Sequence, residues 1–313
     1  MAAKPGLLVT TPIYPPALVQ LEEDFTRHRL WQAADRAAFT HAVAADVRGV
    51  VTTGLAGFPR EDMDRLPHLE IIACFGTPRG TVDLAHARAR GIAVTNTPDS
   101  ISAAVADLAM GLVVAVMRRI CESDRYVRAG RWPEGKSPMG RDLAGKTCAI
   151  VGLGQIGRHI ARRAEAFGMA VCYHGPRRKD DVPYPYYADL ETMAQAADCL
   201  VLACPLTPET RDLVNARILA ALGPEGFLVN VARGPVVNES ALLAALADKR
   251  IAGAGLDVFW DEPNVPPQLL ALENVVLQPH MGSSTEEVRV ERSRKLLANL
   301  RAHFSGKPLL TPM

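Results

Sequence analysis

Short apolar runs of strand length recur along this chain, and between them lie stretches whose apolar residues return every three or four positions. In the first hundred residues the runs are Gly6 to Thr10, Val47 to Thr53, Glu70 to Phe75 and Ile92 to Asn96, with an amphipathic stretch at Thr81 to Arg90. A second series follows at Thr147 to Val151, Ala170 to His174, Cys199 to Ala203, Gly226 to Val231, Gly253 to Phe259 and Val275 to Gln278. Alternation of strand and helix on this scale predicts a parallel sheet with helices on both faces, twice over.

Between the two series lies the most apolar run, Ile101 to Met117, in which Ile101, Val105, Leu108, Leu112 and Val116 share one helical face and Asp99-Ser100 offers an N-cap. It contains Asp107 and is shorter than the roughly 20 residues that a membrane span needs, so it predicts a buried helix. A Gly-, Pro-, Lys- and Ser-rich loop then runs from Arg128 to Lys146. Near the end, Ser284-Thr-Glu-Glu287 reads as a capping box opening a helix to about His303, and the tail from Gly306 cannot be helical. The last helix is expected to return to the first domain, giving one domain from 1–98 with 285–313 and a second from 99–284.

Length and composition agree with that plan. At 313 residues the chain exceeds one comfortable core, and 48% hydrophobic with 22% charged residues is ordinary for a globular protein. A net charge of +1 gives no electrostatic case for nucleic acid or an anionic membrane. The six cysteines form no CxxC pair and lie mostly in apolar runs, so neither a disulfide frame nor a metal site is expected. With no apolar leader in its first residues, the chain is expected to be cytoplasmic.

The second series opens with Gly152-x-Gly154-x-x-Gly157 between a strand and a helix. Gly152 allows the tight turn, Gly154 lets the backbone approach a pyrophosphate, Gly157 lets helix and strand pack closely, and the helix N-terminus faces the anion. Ile156, Ile160, Ala164 and Phe167 give that helix an apolar face, and Gly168 supplies a left-handed stop. After the next strand, the position where an acidic residue would bond the ribose of NAD carries Gly175-Pro176-Arg177-Arg178-Lys179. The carboxylate that would repel a 2′-phosphate is absent and guanidinium groups are present, which favours NADP over NAD; the alternative is a solvated basic turn.

In such sheets ligands bind beyond the carboxyl ends of the strands. Three residue types found there fit one reaction. Arg233 can hold the carboxylate and carbonyl of a 2-oxo acid in a forked pair of bonds, and His280 can give a proton to the carbonyl oxygen as hydride arrives. A carboxylate on the second ring nitrogen would orient the histidine, and spacing alone does not choose Glu262 over Asp261.

Eight segments, among them VGLGQIGR, VLACPLTPET, NVARGPVVNESALLAAL, GAGLDVFWDEP and LENVVLQPHMGSST, resemble the D-isomer-specific 2-hydroxyacid dehydrogenase family from about Leu69 onward. Within it the wording is most similar to the NADPH-dependent hydroxyphenylpyruvate, hydroxypyruvate and glyoxylate reductases. The resemblance implies an α/β fold of two doubly wound parallel-sheet domains, a Rossmann coenzyme domain inserted into a flavodoxin-like substrate domain, and a homodimer. It implies Arg233, Glu262 and His280 as the catalytic set. Gly152, Leu153, Gly154, Gln155, Ile156, Gly157, Gly175, Arg177, Arg178, Cys204, Pro205, Val231, Ala232, Asp257 and Gly282 would line the coenzyme. It also implies that the substrate carboxylate meets successive backbone N–H groups in a Gly-Val-Gly-like segment, where this chain has Gly76-Thr77-Pro78-Arg79-Gly80. Pro78 has no N–H to give. Gly76, Thr77 and Arg79 are then the local substrate contacts, beside Arg233 and His280. A 2-ketogluconate-type sugar-acid reductase and a non-catalytic dinucleotide-sensing protein stay open as alternatives.

Overall fold

The structure is a computed structural model and describes residues 4–78, 80–98 and 101–313. The chain divides into two compact units, 1–100 with 285–313, and 101–284. The N-cap expected at Asp99-Ser100 and the proposed contact Arg79 lie outside the described residues.

The first unit holds β1 (Gly6–Val9), β2 (Thr26–Arg29), β3 (Val47–Thr53), β4 (Ile71–Phe75) and β5 (Ala93–Thr95), in the order β2-β1-β3-β4-β5. Every pair is parallel. This is the flavodoxin-like order. The central strands are buried on both faces, as their unbroken apolar runs require. The helix Glu286–Phe304 belongs to this unit and lays Leu296, Leu297 and Leu300 into the cluster that contains Ile71, Ala73 and Phe75. It runs opposite to the strands. Phe304 lies beside Arg48 and Gly49 near the start of β3, while Arg292 lies over Phe75 at the end of β4. The cap is Thr285, whose hydroxyl accepts from Val288 N–H, and not Ser284. The register is one residue later than the capping box expected, and valine at the third helical position has no side-chain acceptor to return the bond. After the helix, Asn299 Oδ1 accepts from Leu310 and Thr311 N–H and holds the tail along β5.

The second unit holds β6 (Thr147–Val151), β7 (Ala170–His174), β8 (Tyr186–Tyr187), β9 (Cys199–Leu202), β10 (Phe227–Asn230), β11 (Gly253–Leu256) and β12 (Val275–Leu277). The order is β12-β11-β10-β9-β6-β7-β8, again parallel throughout, a Rossmann arrangement with one added strand. The helix Ser102–Met117 is buried on most sides, with Ala106, Ala109, Met110 and Val113 inside as well as Val105, Leu112 and Val116. It approaches closely at Gly255, where an added Cβ would stand 3.0 Å from Leu112 Cβ. Asp107, its one charge, pairs at the surface with Arg163.

Two expectations are corrected here. β2 and β8 are strands that the apolar pattern does not mark. Both are sheet edges, where a half-solvated strand has no need of an apolar run. Phe167 is half-exposed because it is the C-cap residue, where the chain leaves the helix before its side chain reaches the core. Among the described residues no helix is long and apolar enough to cross a membrane.

Candidate active site

The glycines of the first turn in the second unit are there for space. An added Cβ on Gly157 would lie 2.2 Å from Gly152 O, and one on Gly152 (φ +92°) would lie 2.7 Å from the Cys204 backbone. The turn therefore packs against the loop after β9, which brings Cys204 and Pro205 beside it. Thr210 Oγ1 holds that loop by donating to Pro205 O at 2.7 Å and accepting from Thr207 N–H. Gly154 differs: nothing lies within 4 Å of a Cβ there, and it caps the helix Gln155–Ala166 with no side chain to accept the first N–H groups. Open space and free amide donors fit the pyrophosphate of a dinucleotide.

Beyond β7 the loop 175–179 is held by two tyrosines. Tyr173 Oη accepts from Lys179 N–H at 2.7 Å, and Tyr186 Oη donates to Gly175 O at 3.0 Å. Arg177 and Arg178 project from it into solvent and make no ion pair among the described residues. The two tyrosines went unread in the sequence, since a phenol in an apolar strand gives no sign of the distant backbone it will bond.

At the end of β10 the buried Asn230 shapes the chain that carries Arg233. Its Oδ1 accepts from Ala232 N–H at 2.9 Å and its Nδ2 donates to Arg233 O at 3.0 Å. The half-buried Arg233 turns its guanidinium back to Ala232 O. Gly234 then lies so close to Phe259 and Trp260 that a Cβ would meet their backbone. The Arg233 segment is thereby seated against the turn that leads to Glu262.

Glu262 Oε1 accepts from Phe259 N–H at 3.0 Å, and Oε2 lies 2.6 Å from His280 Nδ1. This places Glu262, not Asp261, on the histidine; Asp261 instead accepts from Asn264. His280 has φ +55°, a left-handed backbone rare outside glycine, and its N–H donates to Asp257 O and Gln278 O. Asp257 is buried and its two carboxylate oxygens accept from Met281 N–H at 2.6 Å and Gly282 N–H at 2.9 Å. Burial pushes the Asp257 carboxyl above its ordinary range, against the pull of those two N–H groups and of His280. Asp257 is thus the anchor of the 280–282 turn, a role that only its hydrogen bonds disclose. Glu262, His280 and Asp257 are brought together directly; Arg233 makes no bond to them.

In the first unit, β4 is followed by Gly76 (φ +111°), whose N–H donates to Thr97 Oγ1 at 2.8 Å while its carbonyl accepts from Thr97 N–H. The amide of Gly76 is therefore engaged by the Thr97 hydroxyl. Thr77 is exposed and Pro78 buried.

Residues 110–282 match the family described as D-isomer specific 2-hydroxyacid dehydrogenase, NAD binding domain. The chain is 45% identical over 308 residues to hydroxyphenylpyruvate reductase of Plectranthus scutellarioides, covering 98% of each. It is 42% identical over 313 residues to 2-ketogluconate reductase of Gluconobacter oxydans (strain 621H), covering all of each. Among solved structures it is similar to the NADPH-dependent glyoxylate/hydroxypyruvate reductase of Sinorhizobium meliloti in complex with NADP and malonate. The TM-score is 0.86 at 43% identity, over 99% of this chain and 97% of that one.

Proposed function

The chain belongs to the D-isomer specific 2-hydroxyacid dehydrogenase family, and on that premise we propose that it reduces a short 2-oxo acid to the D-2-hydroxy acid with NADPH. The observation that carries the reading is the His280 Nδ1 to Glu262 Oε2 contact at 2.6 Å, which leaves Nε2 without a bond among the described residues. The nicotinamide nucleotide, when bound, supplies the hydride. Glu262 keeps the Nδ1 proton in place, so Nε2 can carry a second proton and deliver it to the carbonyl oxygen. Arg233 holds the carboxylate and the carbonyl oxygen, and Asp257 sets the turn from which the histidine projects. In the reverse direction His280 takes the proton back.

Gly152 to Gly157, with Cys204, Pro205, Val231, Ala232 and Gly282, would hold the nucleotide. Arg177 and Arg178, exposed and without a carboxylate partner among the described residues, would take its 2′-phosphate. The second unit is then the coenzyme domain and the first the substrate domain. A homodimer is the expected assembly. Ile120, Val127, Trp132 and Met139 leave an apolar surface on one segment of the second unit that a second copy would cover. The likeness to 2-ketogluconate reductase favours a sugar-acid ketone as the second substrate reading.

The test is oxidation of NADPH, with NADH alongside, over glyoxylate, hydroxypyruvate, 4-hydroxyphenylpyruvate and 2-ketogluconate. Turnover of one of the first three at the highest kcat/KM supports the short 2-oxo acid, and a preference for 2-ketogluconate supports the second reading. Replacing Arg177 and Arg178 by Ser is expected to raise KM for NADPH and leave KM for NADH in place. Tight NADPH binding without turnover on any of the four would point instead to a dinucleotide sensor.

A further inference from the structure

Arg292 lies in the second turn of the helix Glu286–Phe304, at the carboxyl edge of the first sheet. Its guanidinium carbon is 5.9 Å from the centre of the Phe75 ring, and its Nε is buried with no hydrogen-bond partner. Among the described residues the side chain makes no hydrogen bond and no ion pair. Arg27 also has a buried, unpartnered Nε, yet its terminal nitrogens bond Leu18 O and Glu22. On its own helix Glu286 receives the Tyr14 hydroxyl at 3.3 Å and Glu291 holds Arg294 and Lys295, and no acid of the helix pairs with Arg292 among the described residues. Burial, with the Arg289 guanidinium nearby, pushes the Arg292 pKa down to about 10. Arg292 is half-buried with its terminal nitrogens open, and an anion arriving there would offset the cost of holding an uncompensated charge in partly desolvated surroundings.

The loop that follows Phe75 lacks what Arg292 has in excess. The Gly76 N–H is engaged by Thr97, and Pro78 has none. Of three successive positions, only the Thr77 N–H has no partner among the described residues. A guanidinium presents five donors in a planar fork that matches a carboxylate.

We propose that Arg292 and the Thr77 N–H form the carboxylate receptor of the first unit, taking the acid group of the 2-oxo acid in place of the amides that Gly76 and Pro78 do not offer. Arg292 is then a specificity-determining residue. The inference rests on the 2-oxo acid reading given above.

The test uses the full-length chain carrying Arg292→Met, which keeps an apolar stem on Phe75, and Arg292→Lys, which keeps the charge. Steady-state rates are measured with glyoxylate and NADPH, and binding of oxalate, a planar anion of similar size, is measured by calorimetry. Arg292→Met is expected to raise KM for glyoxylate and Kd for oxalate about 10- to 100-fold. KM for NADPH should stay within about twofold. Arg292→Lys should recover part of the loss, and Tm should not fall in either variant. Unchanged KM and Kd in Arg292→Met overturn the proposal. So does a joint fall of Tm and kcat without those shifts, which is what lost packing on Phe75 alone would give. If the wild-type protein reduces no 2-oxo acid while oxalate binding still depends on Arg292, the receptor stands and the reductase reading falls.

Discussion

Replacing Gly234 by Ala tests whether the site depends on one close backbone approach. A Cβ at this position would lie 2.1 Å from both the carbonyl carbon and oxygen of Phe259 and 2.5 Å from Trp260 N. That is more than an ångström inside ordinary contact, and no side-chain rotation relieves it, because the atoms met are backbone. Either the Arg233 segment or the Phe259 turn must move. Phe259 N–H holds Glu262 Oε1, and Glu262 Oε2 holds His280, so a shift at Phe259 passes directly to the proton donor. Overpacking of this kind costs about 1–3 kcal/mol. At about 2–4 °C per kcal/mol for a unit of this size, Tm should fall by roughly 2–12 °C. A misplacement near 1 Å at the reacting groups costs about 100-fold in rate. Val231 and Ala232, which would border the nucleotide, lead directly into the displaced segment, so KM for NADPH should rise as well. Thermal unfolding followed by circular dichroism, with steady-state kinetics on the same preparation, reads all three. A variant with Tm within about 1 °C and kcat within about twofold of wild type would refute the packing argument.

His280→Ala should lower kcat by about 10²–10⁴, with NADPH affinity by fluorescence titration held within about twofold; near-normal turnover would remove the histidine from the proton transfer. Gly154→Ala places its Cβ in open space, so Tm should stay put, whereas NADPH affinity should weaken about tenfold because the methyl group stands where the phosphates approach. Equal affinity in that variant would mean that the turn does not cradle the pyrophosphate. Burial raises Cys74 and Cys148 to about 12 and Cys172 and Cys204 to about 11. A raised thiol pKa contributes stability in full below the ordinary value of 9.0 and loses it as pH climbs through 11 to 12, so alkaline unfolding should set in above about pH 9. Thiol labelling at pH 8 should accordingly reach the half-buried Cys121 first and the other five, all buried, only after denaturant is added.

What the sequence by itself determined was local. The strand, phosphate turn and helix from Thr147 to Gly168 were readable because apolar periodicity and glycine spacing belong to a few neighbouring residues. The central strands were readable for the same reason, since a strand buried on both faces must be apolar throughout. Arg233 and His280 stood out because each follows a strand end, where ligands bind in such sheets. What only the tertiary structure decided was which distant groups meet. β2 and β8 are strands because a neighbour offers them a free edge, which their own composition does not announce. Glu262 rather than Asp261 reaches His280 because the turn after β11 folds the one carboxylate toward the histidine and the other toward Asn264. Asn230 and Asp257 hold the backbone of the site through bonds to residues whose position depends on the whole sheet. The state of Arg292 is likewise a property of its surroundings: whether an arginine is paired or bare depends on where other parts of the chain place their carboxylates, and no local pattern encodes that.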